Sequence, residues 1–293
     1  SPTAFTESLK QVTFNLTEYF GIKPDQLQSH HRRMSNVFFD YVNIHRDNIH
    51  ILDGNVSIDE VDRLCLDFEE KIRAAGGLDL LLLGIGPNGR LGFNEPFGES
   101  SSITRLATLD PITRRNAASD FFDEVNVPTQ ALTMGIGTIL AARKIVVVGF
   151  GEDKAKIVRE AVEQPVTDRV PASFLRNHSE ALFLLDSAAA DELTGVATPW
   201  LLGGVEWTDG LIKRAELWLC EQTGKALLKL DGDDFRTHNL HQLLRLHGPS
   251  QTLAHRVFKW MMDTIDYHPA GREPQRVLCF SPHPDDDVIS MGG

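Results

Sequence analysis

The residues with the most chemical content lie in one loop, Gly84-Ile85-Gly86-Pro87-Asn88-Gly89-Arg90-Leu91-Gly92-Phe93-Asn94-Glu95-Pro96. It follows Leu78-Asp79-Leu80-Leu81-Leu82-Leu83, an apolar run of buried-strand length. Four glycines and two prolines in these thirteen residues exclude a regular helix or a continuing strand. The loop carries one carboxylate, Glu95. Open α/β sheets bind ligands beyond the carboxyl ends of their strands, which is where such a loop sits. Gly84, Gly86 and Gly89 also spell G-x-G-x-x-G, the dinucleotide fingerprint. That fingerprint needs a helix to begin in the loop and face the pyrophosphate. Pro87, Gly92 and Pro96 argue against one.

The surrounding chain supplies the elements that position this loop. Val12 to Leu16 reads as a short buried strand, with Thr17, Glu18 and Tyr19 at its carboxyl end. Ser29 to Val42 reads as a helix with Met34, Val37, Phe38 and Tyr41 on one face. Ser57 and Glu60 form a capping box. Ile58, Val61, Cys65, Phe68 and Ile72 then step at amphipathic-helix spacing, and Gly76-Gly77 ends the helix. A strand, a capped helix and a second strand make a βαβ unit, hence a parallel sheet. Downstream, Ile103 to Leu109 reads as extended, and Phe121 to Val127 leads to Ala131-Leu132-Thr133-Met134. Lys144 to Gly149 is another buried strand, Gly151 to Lys154 opens a helix, and Ala181 to Leu185 is a last strand.

After Thr198-Pro199-Trp200 the pattern changes to mostly helical, with a turn expected at Asp231-Gly232-Asp233-Asp234. Tyr267 to Gln275 reads as a linker. Arg276 to Phe280 reads as a strand ending in Ser281-Pro282-His283-Pro284-Asp285-Asp286-Asp287. The expected organisation is an α/β domain over 1–195, a helical extension and linker over 196–274, and the first strand and turn of a second domain over 275–293.

Composition narrows the function classes. At 293 residues, with 42% hydrophobic and 24% charged residues, the chain has an ordinary globular balance. A net charge of −12 argues against a nucleic-acid surface, though not against a local phosphate site. No apolar run reaches the roughly 18 residues a membrane helix needs. Cys65, Cys220 and Cys279 are widely spaced, without metal-binding spacing, and suit a reducing cytoplasm.

The strand followed by G-x-G-x-x-G-x-x-x-F-N-E-P closely resembles the glucosamine-6-phosphate deaminase family. The resemblance extends to Val12–Tyr19, Asn36–Ile44 and Thr133–Thr138 and covers about residues 1–195. It implies a doubly wound, mostly parallel Rossmann-like sheet. It also implies conversion of an amino-sugar phosphate, glucosamine 6-phosphate, to fructose 6-phosphate and ammonia. The steps would be ring opening, proton transfer from C2 to C1 and loss of the amine, with no organic cofactor. The family's strand-end base is an Asp; Thr17 stands there, followed by Glu18, which in a strand faces the other way. The family's ring-opening relay is Asp–His–Glu; Asn88 and Arg90 replace the first two, and Glu95 is retained. Asn cannot ionise, and Arg stays protonated and cannot shuttle protons. Arg90 could still hold Glu95 or a sugar oxygen by a charge-assisted bond. The bland reading of Glu95 is an exposed loop carboxylate.

For phosphate, Lys154 matches a family lysine near a helix N-terminus, where N–H donors and a cation act together. Its alternative is a solvated lysine. The resemblance implies a preceding strand and a loop resembling G-G-x-(S/T)-P that wraps the phosphate, of which Ser1-Pro2 is the trace. Arg105 matches an arginine of an allosteric site but reads here as structural or solvated. The tail His283-Pro284-Asp285-Asp286-Asp287 resembles the start of the LmbE-like zinc-dependent N-acetylglucosaminyl deacetylases. That resemblance implies His283 and Asp286 as zinc ligands and Asp285 as base, in a complete second domain. Two further readings stay open: a catalytically weak sugar-phosphate-binding domain serving such a deacetylase, and a nucleotide-binding domain. The oligomeric state is open, with a homo-oligomer among the options.

Overall fold

The computed structural model describes residues 12–265. The chain divides at Pro199/Trp200 into two compact units. Ser1, His283 and Asp286, with the 275–293 domain start, lie outside the described residues.

The first unit contains eight short strands among its described residues. They are β1 (Thr13–Phe14), β2 (Thr17–Tyr19), β3 (Ile49–His50), β4 (Leu80–Gly84), β5 (Arg105–Thr108), β6 (Gln130–Thr133), β7 (Lys144–Gly149) and β8 (Ala181–Leu185). The helices that bear on the site are α1 (His30–Val37), α2 (Val61–Ala74), α3 (Pro111–Ala117), α4 (Ile136–Leu140) and α5 (Ala155–Glu163). The architecture is α/β with parallel strands, as the βαβ pattern requires. β4, β7 and β8 form a parallel trio with β7 in the middle, Leu82 opposite Val146 and Val146 opposite Leu182.

The β4 and β7 residues Leu81, Leu83, Ile145 and Val147 share one core with Val61, Cys65, Phe68 and Ile72 of α2 and with Ile157, Val158 and Ala161 of α5. The other face is not buried as an all-apolar run suggests. Leu80, Leu82, Leu182 and Leu184 are each more than half exposed. Successive strand residues point to opposite faces, and α2 and α5 cover only one of them.

The expected Val12–Leu16 strand is broken in a useful way. β1 pairs in parallel with β3, and Asn15 N donates to His50 O at 2.8 Å. Leu16 O then accepts from Met134 N at 2.8 Å, and β2 joins β6 antiparallel with Thr17 opposite Thr133. β5 lies on the far side of β6, also antiparallel. Within four residues the chain passes from a parallel pair to an antiparallel trio absent from the sequence reading.

The helix expected to Val42 ends at Val37. Phe38 leaves helical geometry at φ −139°, and a 3₁₀ turn at Phe39–Tyr41 follows. The turn rotates the register, so Phe39 is buried while Val37, Phe38 and Tyr41 are exposed. The capping box of Ser57 and Glu60 is present, opening a 3₁₀ turn that runs into α2.

The second unit is helical, with α7 (Asp209–Thr223), α8 (Gly232–Thr237), α9 (His241–His247) and α10 (Ser250–Ile265), after the short α6 (Thr194–Ala197) of the first unit. Asp231 to Asp234 is a helix start, not a turn. Asp231 accepts from Asp233 N and Asp234 N, and Asp234 reaches back to Asp231 N, a capping box built from two aspartates. Ile212, Leu219, Phe235, Leu243 and Leu253 pack with Trp200 and Trp207.

A buried carboxyl lies in this unit. Glu216 has no exposed surface, and neither of its carboxylate oxygens has a hydrogen-bond partner among the described residues. Burial pushes its carboxyl up to about 8, with Arg256 opposing the rise. The folded state thus keeps a proton that the unfolded chain releases above pH 4.5, the ordinary value. Stability from this group is fully present below 4.5 and declines as pH rises to about 8. The expected slope is about 1.4 kcal/mol per pH unit inside that window. Glu216→Gln should flatten the decline in thermal-melt midpoint of the full chain between pH 5 and 8. An unchanged slope would place the titration elsewhere.

Candidate active site

The loop after β4 is shaped by its own backbone and braced by the side chain of Asn94. Gly89 N donates to Gly86 O at 2.9 Å and Gly86 N to Arg90 O at 3.0 Å, closing a tight turn. Gly92 sits at φ +58°, and a Cβ there would meet Leu16 Cδ2 at 2.9 Å and Thr133 Oγ1 at 3.0 Å. Only glycine allows the loop to lie this close to β2 and β6. Asn94 is buried, and both ends of its amide are engaged. Nδ2 donates to Leu91 O and Met134 O, each at 2.8 Å, and Oδ1 accepts from Arg105 Nη1 at 2.8 Å. Arg105 is therefore structural here, a brace from β5. Phe93 N adds a bond to Thr133 Oγ1 at 3.1 Å.

A cleft of about 600 Å³ opens beside this loop, at the carboxyl ends of β4 and β7. Thr17, Arg90, Asn116 and Lys154 line it, together with Gly84–Pro87. These residues come from β2, the loop, α3 and the turn before α5. The structure thus brings Thr17, Arg90 and Lys154 to one cavity.

Arg90 is held in a fixed pose. Its Nη1 donates to Gly92 O, and its guanidinium carbon lies 5.4 Å from the centre of the Phe93 ring. Its Nε is buried without a partner among the described residues. Burial lowers its pKa, and the nearby Glu95 charge opposes the change. Lys154 immediately precedes α5, after a 3₁₀ turn. Its Nζ lies 3.0 Å from Asp153 Oδ2, so a cation and helix N–H groups are presented to the cleft with one carboxylate beside them.

Asn88 and Glu95 face each other away from the cleft lining. Asn88 Nδ2 donates to Glu95 Oε2 at 2.9 Å, and Glu95 Oε1 accepts from Asp110 N at 3.2 Å, at the cap of α3. The expected Arg90–Glu95 bond is not formed; among the described residues no ion pair joins them, and the Asn88 amide occupies that role. Glu95 is also not the exposed carboxylate of the bland reading.

Glu18 is turned away from the cleft and fully engaged. Oε1 accepts from Tyr19 N at 2.9 Å and His30 N at 3.0 Å; Oε2 accepts from Ser29 Oγ at 2.7 Å and His31 N at 2.9 Å. Only 1% of it is exposed. The carboxylate caps the N-terminus of α1, where a negative charge meets free N–H groups. Alternation along β2 puts it opposite in direction to Thr17. The role of base at this strand end does not fit that position.

Sequence reasoning passed over His30. Its Nδ1 lies 2.8 Å from Thr17 Oγ1, and its ring stacks on Phe93 with centroids 5.8 Å apart. A histidine beside Ser29 at a helix start carried no local signal of this contact. Among the described residues no group of three or more His, Cys, Asp or Glu could hold a metal ion.

Asn94 supplies a sharp test of the loop. Asn94→Leu removes one of two donors from the Leu91 and Met134 carbonyls, which keep Asn94 N and Thr133 Oγ1, and takes the Oδ1 acceptor from Arg105 Nη1. Each lost hydrogen bond costs about 0.5–1.5 kcal/mol, and a buried donor left unsatisfied about 1–3 kcal/mol. The full chain should lose at least several degrees of melting temperature, measured by calorimetry. An unchanged melt would remove Asn94 as the loop's anchor.

Comparison with known proteins agrees with this geometry. The family model described as glucosamine-6-phosphate isomerases/6-phosphogluconolactonase matches residues 7–184. A glucosamine-6-phosphate deaminase-like protein of Bacteroides thetaiotaomicron is 38% identical over 296 residues, covering 96% of this chain and 45% of that protein. This chain thus spans less than half the length of that relative. A glucosamine-6-phosphate deaminase of Halothermothrix orenii is 44% identical over 183 residues, 62% of this chain and 75% of that one. Among solved structures, a monomeric glucosamine-6-phosphate deaminase superposes with a TM-score of 0.60 at 38% identity, covering 62% of this chain and 74% of its own. With more than half of its residues matched and the loop, strands and cleft in place, the chain belongs to the glucosamine-6-phosphate isomerase/6-phosphogluconolactonase family.

Proposed function

We propose that the chain binds an amino-sugar phosphate in the loop cleft and acts on it as a glucosamine-6-phosphate deaminase with weakened proton handling. The observation that carries this reading is the convergence of Thr17, Arg90 and Lys154 on one cavity at the strand ends. Lys154, with the N-terminus of α5 behind it, suits the phosphate. Arg90 and the backbone of Gly84–Pro87 suit sugar hydroxyls. The chemistry is opening of the sugar ring, transfer of a proton from C2 to C1 and loss of ammonia.

Binding is better provided for than proton transfer. Arg90 is a fixed cation, Asn88 cannot ionise, and Glu18 is committed to α1. Glu95 is held by Asn88 and Asp110 at the rear of the loop. A sugar-phosphate-binding domain without turnover is the outcome if catalysis is absent. Within the same reading, residues 275–293 begin a zinc-dependent deacetylase domain, with His283 and Asp286 as ligands. A relative more than twice as long supports a longer parent protein.

Lys154→Ala should weaken glucosamine 6-phosphate binding about tenfold or more, since hydrogen bonds to charged groups contribute about 1.5–3 kcal/mol. Titration calorimetry reads this directly, and unchanged affinity would remove Lys154 from the site. Restoring ionisable groups tests the chemistry. Thr17→Asp, Asn88→Asp and Arg90→His together should raise ammonia release at least about tenfold, a cautious fraction of the 10²- to 10⁴-fold typical of one acid–base group. A slower triple variant, or an unaltered chain already turning over at ordinary enzyme rates, would overturn the weakened-enzyme reading.

A further inference from the structure

Thr17 and His30, thirteen residues apart, meet at the end of β2. His30 Nδ1 lies 2.8 Å from Thr17 Oγ1 and 3.1 Å from the Thr17 carbonyl oxygen. The imidazole is fixed from several sides. Phe93 stacks on it at an interplanar angle of 12°, and Tyr19 meets it edge-on with centroids 5.1 Å apart. Its backbone N–H is bonded to Glu18. Thr17 lines the cleft. A hydroxyl bonded to a ring nitrogen, on a residue that lines the cavity, is placed to pass a proton between them.

We propose that Thr17 and His30 form a proton relay for the sugar site, in which a substrate hydroxyl gives its proton to Thr17 Oγ1 as Thr17 passes its own to His30 Nδ1. The inference rests on the sugar-phosphate reading of the cleft and deepens it by naming the group that titrates. The step balances for ring opening. The hemiacetal O–H bond breaks, and its electron pair forms the C1 carbonyl as the bond from C1 to the ring oxygen breaks. The ring oxygen takes a proton from water, and the imidazolium later returns one to water. The concerted transfer avoids a free threonine alkoxide. Thr17 touches the substrate; His30 acts through it.

Nδ1 lies within hydrogen-bond reach of both Thr17 oxygens, and its protonation decides which of them it bonds. With Nδ1 unprotonated, it accepts the Thr17 hydroxyl and the relay is open. With Nδ1 protonated, it donates to the Thr17 carbonyl or hydroxyl and the relay is closed. Burial, first among the causes, lowers the His30 pKa from its ordinary 6.5. Glu18 and the Thr17 carbonyl oppose the fall, while Arg33 and Arg90 add to it. Tyr19 is the other titratable ring against it. The neutral ring, whose Nε2–H tautomer leaves Nδ1 free to accept, therefore persists below pH 6.5, and the relay is lost as pH falls through the lowered value.

The test uses the full chain with glucosamine 6-phosphate and reads ring opening as exchange between the two anomers by NMR. Exchange should be accelerated by the protein, with an acid limb whose midpoint lies below 6.5. Thr17→Val and His30→Phe should each reduce the acceleration about 10²-fold, the lower end for an acid–base group. Thr17→Ser should restore it. His30→Asn, which retains a polar atom near the Nδ1 position but cannot titrate, covers the case in which His30→Phe misfolds. It should bind the sugar and lose the acid limb. Binding with exchange and acid limb unchanged in the His30 variants overturns the relay alone. Absence of glucosamine 6-phosphate binding in the unaltered chain overturns both the relay and the sugar-phosphate reading.

Discussion

The site depends on the carboxamide of Asn94. Its two donors hold the loop's own turn and the end of β6, and its acceptor holds Arg105 from β5. A buried amide has two donors and two acceptor lone pairs, and this one has partners on both its nitrogen and its oxygen. The loop has little regular secondary structure, and Asn94 adds to the backbone bonds that hold it at Gly89 O and Phe93 N. One side chain links it to both neighbouring strands of the antiparallel trio. Gly92 makes that link sterically possible by letting the backbone pass Leu16 and Thr133.

Charge is distributed unevenly around the cleft. The cations Arg90 and Lys154 line it, with Asp153 paired to Lys154, whereas the carboxylates Glu18 and Glu95 are turned outward and bonded to backbone N–H groups and an amide. A cavity arranged this way attracts an anion readily. It provides few groups that can change protonation near neutral pH. The imidazole of His30 bonds Thr17, which lines the cavity.

The helical unit shows a different use of burial. Glu216 is buried in the unit whose core contains Trp200 and Trp207, whose ring nitrogens are also buried without partners among the described residues. A carboxyl in such surroundings favours its neutral form because desolvation penalises the charge. The effect makes the stability of this unit respond to pH in a range where most carboxylates do not.

Much of the first unit was legible in the residues themselves. The Lys144–Gly149 and Ala181–Leu185 strands have the predicted bounds, and the helix after Ser57 follows its predicted spacing. Apolar periodicity and caps are local, so a single sequence determines them. The glycine-rich loop at a strand end was equally plain, because glycine and proline restrict the backbone wherever they stand. Tertiary structure decided the rest. The switch of Thr17–Tyr19 to antiparallel pairing with β6 depends on a segment more than a hundred residues away. The same switch directs Glu18 to α1 and Thr17 to the cleft. His30 reaches Thr17 only because α1 packs against β2, and Asn88 rather than Arg90 bonds Glu95 because the loop closes on itself. The outer face of Leu80, Leu82, Leu182 and Leu184 has the same apolar composition as the inner one. Which face α2 and α5 cover is set by the path of the chain, which composition does not encode.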